Sequence, residues 1–279
     1  MRWYIPERAP YPTWSYVAMT VGGVAVSYLT AMVVDVEREK TRRRQWFAAA
    51  RRTSSSQYNR PPGLLGSLSS WWKNIRESDR TILSLMAVNG AVFLAWRVPS
   101  LSTFMTRYFI HSTKSHPITM FTSSFSHISG MHLLANMVAL YSFGRVMHER
   151  MGREQFLAFY TSCGLLSSAG SHAVRAYRGD LTRSLGASGA IFGVAAGAAH
   201  NPDLKVSLIF LPFVSIPISV ALPAMMVYDT VGLFKRWSTF DHAAHLSGAV
   251  FGYIAYSTSI RKLWPRRHQV LQLFGYPIK

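Results

Sequence analysis

Disulfides are excluded first. The 279 residues contain one cysteine, Cys163, set inside an apolar run. A lone buried thiol behaves as a small hydrophobe, and no chemical role is assigned to it. Acidic residues are scarce as well, 12 against 30 lysines and arginines, for a formal charge of +18. Charged residues make up only 15% of the chain and hydrophobic ones 49%, which excludes an ordinary soluble domain. The surplus cations lie between apolar runs and form no stripe on a soluble motif, so no nucleic-acid partner is expected. Cations in that position anchor loops to an anionic lipid surface, which makes the bilayer the first partner.

What is present is a series of runs suited to lipid. Crossing the hydrocarbon takes about 20 apolar residues in a helix. Seven runs qualify or nearly do, at 15–34, 81–96, 131–144, 155–174, 184–200, 206–228 and roughly 240–260. The fold class expected is therefore an all-α polytopic membrane protein. Residues 1–35 hold an N-terminal tail and a leading transmembrane helix. Residues 36–79 form a basic, serine- and proline-bearing linker, 80–260 a six-helix body, and 261–279 a basic tail. The opening "MRWYIPERAPYPT" lacks the pattern of a presequence, and the first apolar run reads as a retained helix. Pro212, Pro217 and Pro223 share one run, which predicts a bent or loosely held helix. Asn201-Pro202 ends the run before it. The basic linker and basic tail fall on one side, which the positive-inside rule places in the matrix or cytosol.

Polar groups inside membrane helices are costly and are functional candidates by default. "SHISGMHLLANM" places His132 and Asn136 four apart, on one helix face, where two donors can meet a developing oxyanion. They serve equally well as polar glue between helices. "SLGASGAIFG" surrounds Ser188 with Gly186, Gly189 and Gly193, leaving room for another backbone. It is not the soluble hydrolase elbow, because Ala190 stands where that motif needs glycine. "FDHAAHLSGAVFG" puts His245, Gly248 and Gly252 on one face, flat enough to press against the first glycine-rich run. An imidazole so placed can reach the Ser188 hydroxyl, which needs a base to become a nucleophile. Asp241 reads as the helix cap, with a third-member role beside His245 also allowed by its spacing. His242 is expected near the interface without chemistry. No H-E-x-x-H occurs and no apolar run contains glutamate, so neither a metal nor another cofactor is expected.

Taken together, H-x(4)-H-x(3)-N, then G-A-S-G-A, then A-H-L-S-G-A-V-F-G resemble the three signatures of rhomboid intramembrane serine proteases. The resemblance covers roughly 80–260. With a detached leading helix, it is nearest to the mitochondrial presenilin-associated branch, which has a one-plus-six layout in the inner membrane. The resemblance implies a dyad of Ser188 as nucleophile and His245 as general base, with no third carboxylate. It implies oxyanion donors in His132, Asn136 and the Ser188 backbone N–H. His127 is implied as a supporting histidine, Gly186 as the glycine before the nucleophile, and Gly248 and Gly252 as close-packing glycines. The run at 206–228 corresponds to a region that admits substrate laterally. Two departures stand out: Phe192 replaces a stacking tyrosine, and a Trp-Arg pair of the first loop is absent from 98–130.

The function implied is hydrolysis of peptide bonds in or near transmembrane segments of single-pass inner-membrane proteins. An inactive rhomboid-like protein that binds membrane clients is the alternative, and it would require loss of residues that are present. A proton relay through His132, Asn136 and His245 leaves the paired glycine motifs unexplained. The oligomeric state stays open.

Overall fold

The computed structural model describes residues 10–50, 63–201, 203–208 and 211–277. The N-terminal residues 1–9, the serine-rich part of the linker at 51–62, and Pro202 lie outside the described residues. Helix α1 (Thr13–Ala50) continues well past the apolar run at 15–34. The charged residues after Val34 are good helix formers with no glycine or proline among them, and i,i+4 pairs such as Glu39–Arg43 support them. α2 (Leu64–Asn74) follows, so both described parts of the linker at 36–79 are largely helical.

The body is built from α3 (Glu77–Ala95), α6 (Gly130–Met151), α7 (Arg153–Arg178), α8 (Ser188–Ala198), α9 (Ile218–Lys235) and α10 (His242–Thr258). Two short helices, α4 (Ser102–Tyr108) and α5 (Thr119–Thr122), sit in the loop between α3 and α6. A last helix, α11 (Arg267–Leu273), lies within the C-terminal tail at 261–279. Among the described residues, α1 and α9 are each long and apolar enough to cross a membrane alone. A third span arises if α3 is joined to the helical residues 99–108, which turn back by 96°. α6 and α7 are longer than most spans but carry many polar side chains, of which Asn136, His148, Gln155, Ser171 and Arg175 are buried. α8, at 11 residues, covers about half the hydrocarbon depth, so its first residue sits inside the body.

One expectation is corrected here. The run at 206–228 is not a single helix bent at three prolines. Its first half is an antiparallel hairpin of β1 (Lys205–Leu208) and β2 (Leu211–Pro217), in register Val206 to Ile216 and Ser207 to Ser215. Val206-Ser207-Leu208 and Val214-Ser215-Ile216 each place serine between apolar residues, a period of two that suits strands. Pro217 ends β2 opposite Lys205 and immediately precedes α9, leaving only Pro223 inside a helix.

The leading helix is packed on the body and not detached from it. Gly23 opens α1 to Leu165 of α7, where a Cβ would lie 2.7 Å from the leucine Cδ1. At one end, the Tyr16 hydroxyl donates to the carbonyls of Ser115 (2.7 Å) and Thr113 (3.1 Å), and its ring lies 4.0 Å from that of His172. His111, next in that cluster, accepts or donates to Thr119 at 2.8 Å, and burial beside His172 pushes its pKa down to about 3. At the other end Arg38 is held between Glu77 of α3 and Glu154 of α7. α11 closes on the same helix through Arg267–Asp35 at 2.8 Å and the Met32–Val36–Leu271 cluster. The main core lies between α6, α7, α8 and α10, around Leu140, Phe156, Phe159 and Val194.

Candidate active site

The site grows from three helix starts that converge. α6 begins at Gly130, with Ser129 as its cap accepting from the His132 amide. α10 begins after Asp241, whose carboxylate accepts from the Ala244 amide at 3.1 Å, the capping role expected. That carboxylate also accepts from Ser171 (2.8 Å) and from Arg175 (2.9 Å), which tie it to α7 and away from His245. α8 begins at Ser188, after a chain segment that Gly186 turns at φ +131°, a conformation open only to glycine without strain. Gly186 is needed for space as well. A Cβ there would lie 2.7 Å from His132 Cε1 and 3.7 Å from Asn136 Nδ2.

α8 and α10 meet backbone to backbone. Cβ atoms on Gly248 and Gly252 would overlap the carbonyls of Gly189 and Gly193, so those two glycines set the closeness of the pair. The facing glycines have a second constraint: their own missing Cβ positions are filled by Ser167 and Cys163 of α7. Gly197, one turn after Gly193 on α8, faces Met147 and Phe159.

This approach brings His245 Nε2 to 2.9 Å from Ser188 Oγ. The Phe192 ring lies flat on the imidazole, 4.2 Å between centroids and 8° between planes. The lost tyrosine hydroxyl therefore does not prevent stacking. His132 and Asn136 stand across Gly186 from the serine, and His127 links them to it. Its Nε2 accepts from Asn136 Nδ2 at 2.7 Å and from the Ala187 amide at 3.3 Å, while its ring lies 5.0 Å from that of His132. His127 is fully buried and fixes both a donor side chain and the backbone before Ser188. The first amides of any helix lack intrahelical acceptors, and Ser188 is the first residue of α8.

One member was missed from the sequence. Asp229, on α9, is buried and lies 3.1 and 3.2 Å from His245 Nδ1 through its two oxygens. Its signal was available: it is an acid in a helix otherwise apolar from Ile218 to Phe234, where a charge is a functional candidate by default. The dyad read from the resemblance thus has a carboxylate beside it. His242 also differs from expectation. It is buried and has a polar partner, its Nδ1 lying 2.6 Å from Asp229 Oδ1.

Ser188, His132, His242 and His245 all line a cavity of about 920 Å³ that opens between the start of α10, the end of α9 and the loop after α7. On that loop, burial pushes Asp180 up, but its bonds from Thr182 and the charges of Arg175 and Arg178 outweigh it, holding the carboxyl below the usual range.

Residues 114–262 match the rhomboid domain family. The chain belongs to the rhomboid family. It is 34% identical over 276 residues to the mouse (Mus musculus) mitochondrial presenilin-associated rhomboid-like protein, covering 95% of this chain and 73% of that protein. The human (Homo sapiens) counterpart gives 34% with 95% and 72% covered. The mitochondrial rhomboid protein 1 of Saccharomyces cerevisiae is 32% identical over 193 residues, 67% of this chain and 55% of that one. This rhomboid is of the presenilin-associated type. Its mitochondrial relatives and its apolar helices make it a mitochondrial membrane protein.

Proposed function

We propose that this rhomboid is an intramembrane serine protease of the mitochondrial inner membrane, cleaving single-pass proteins in or beside their transmembrane segments. The observation that carries the reading is the 2.9 Å contact from His245 Nε2 to Ser188 Oγ. With the His245 proton on Nδ1, directed at Asp229, Nε2 is the free lone pair that a general base requires. It takes the hydroxyl proton as Oγ attacks the scissile carbonyl. The oxyanion that forms is met by His132, Asn136 and the Ser188 N–H. On collapse, His245 passes its proton to the leaving amine, and an acyl-enzyme remains on Ser188. A water then enters from the open cavity, gives a proton to Nε2 and attacks the ester; as the Oγ–C bond breaks and the product acid leaves, Nε2 returns that proton to Ser188 Oγ.

The substrate must unwind first, because a helical peptide bond is shielded by its own hydrogen bonds. Small or helix-breaking residues near the scissile bond are therefore expected. Purified protein in bilayers with a labelled transmembrane substrate tests the reading. Ser188→Ala and His245→Ala are each expected to reduce cleavage by at least about 1,000-fold. Cleavage by both variants at the wild-type rate sinks it, as does failure of folded wild type to label at Ser188 with a fluorophosphonate.

A further inference from the structure

His242 takes no part in the steps above, yet it is more tightly bound to Asp229 than His245 is. Its Nδ1 lies 2.6 Å from Oδ1, against 3.1 Å from His245 Nδ1 to the same oxygen. Its Nε2 is buried and has no hydrogen-bond partner among the described residues. The ring proton therefore sits on Nδ1, where it donates to the carboxylate. The space is made for it: Gly232, nearly one turn after Asp229, has no side chain where the imidazole lies, and a Cβ there would overlap the ring. Tyr228, Trp237 and Phe240 surround the same ring edge-on, at 5.8, 6.1 and 6.2 Å between centroids.

Beyond that carboxylate, this part of α9 is held by Met226 against the main core and by the Leu233 carbonyl, which accepts from Arg178 of α7 at 2.9 Å. The buried residues of the helix are Ile218 and Leu222 at the hairpin end, then Asp229 and Gly232. Val227, Tyr228, Val231 and Phe234 are exposed, facing outward from the body. Asp229 is thus both the carboxylate that orients His245 and the polar tooth that seats α9 on α10. A carboxylate held by one histidine pivots about that bond. Two donors three residues apart on α10 fix it in place.

We propose that His242 is a positioning residue: by donating its Nδ1 proton to Asp229, it holds the carboxylate against His245 and seats the C-terminal half of α9 on α10. Chemistry at Ser188 is thereby coupled to the seating of α9 on α10. The coupling rests on reading Ser188 and His245 as the reacting pair, whereas the seating of α9 does not.

The test uses the full chain in bilayers and four variants: His242→Leu, His242→Asn, Asp229→Asn, and His242→Leu combined with Asp229→Asn. Asparagine places its amide N–H where the imidazole Nδ1–H was. His242→Leu is expected to lower kcat about 10-fold while KM stays within about 2-fold, and His242→Asn to stay within about 3-fold of wild type. In the Asp229→Asn background, His242→Leu is expected to cost less than about 2-fold more, because the carboxylate that it positions is already gone. Full multiplication of the two losses overturns the proposal, as does an asparagine variant no better than leucine at equal thermal stability.

A second readout needs no catalysis. Spin labels at the exposed positions Phe234 of α9 and Leu134 of α6 report the seating directly. His242→Leu is expected to broaden the distance distribution and His242→Asn to restore it. An unchanged distribution in the leucine variant overturns the seating. An inactive wild type with the expected distances overturns the protease reading alone.

Discussion

Helix α10 meets α8 and α9 by opposite means. Toward α8 it presents Gly248 and Gly252, and the contact is bare backbone against the carbonyls of Gly189 and Gly193. Toward α9 it presents His242 and His245, and the contact is one shared carboxylate, Asp229. Lipid provides no hydrophobic drive between helices, so each seam must rely on something else. The glycine seam relies on close van der Waals packing over many atoms, which tolerates no displacement. The carboxylate seam relies on a few hydrogen bonds that break and reform as a unit. The first keeps Ser188 and His245 in register. The second ties the position of α9 to the orientation of His245.

The sharpest way to break this contrast is Gly252→Val. Its side chain would enter the space of a backbone carbonyl, so the loss should exceed the roughly 1–3 kcal/mol of ordinary overpacking. Thermal unfolding in detergent should show a large drop, and cleavage should vanish with the fold. Asp229→Asn comes next. It should leave the fold nearly as stable and lower kcat by about 10- to 100-fold, because His245 loses the negative charge beside its Nδ1 and faces an amide whose NH2 can favour the other tautomer. If it unfolds the protein as severely as Gly252→Val, the two seams do not differ in kind. Phe192→Leu keeps apolar bulk and removes the stack on His245. An aromatic pair contributes about 0.5–1.5 kcal/mol beyond its area, so a 2- to 10-fold loss of kcat/KM is expected. Arg38→Ala serves as the control outside both seams. The partly exposed Arg38 should cost no more than about 2 kcal/mol, since Glu154 is left buried, with kcat unchanged. A fall in kcat there would mean that α1 reaches the site, contrary to the separation of roles drawn above.

How much was legible beforehand differs between the same two seams. His245, Gly248 and Gly252 share a face by helical spacing, and Gly189 and Gly193 share another, so the α8–α10 contact follows from period and residue size. Asp241 as a cap follows from its place before an apolar run. The α9 seam was not legible in that way. Asp229 is sixteen residues before His245, and nothing in spacing says that a chain reversal at 236–241 brings them together. The hairpin at 205–217 was hidden for another reason: a continuous apolar run with β-branched residues suits a buried strand and a membrane helix alike.

The sequence by itself determined the membrane class, the leading helix and the glycine-lined approach of a serine to a histidine. Those features depend on local composition and on the 3.6-residue period, both readable along one chain. Only the tertiary structure decided which acid faces that histidine and what holds the second one, His242. A carboxylate in lipid must find its donors through space, and the donors here belong to another helix.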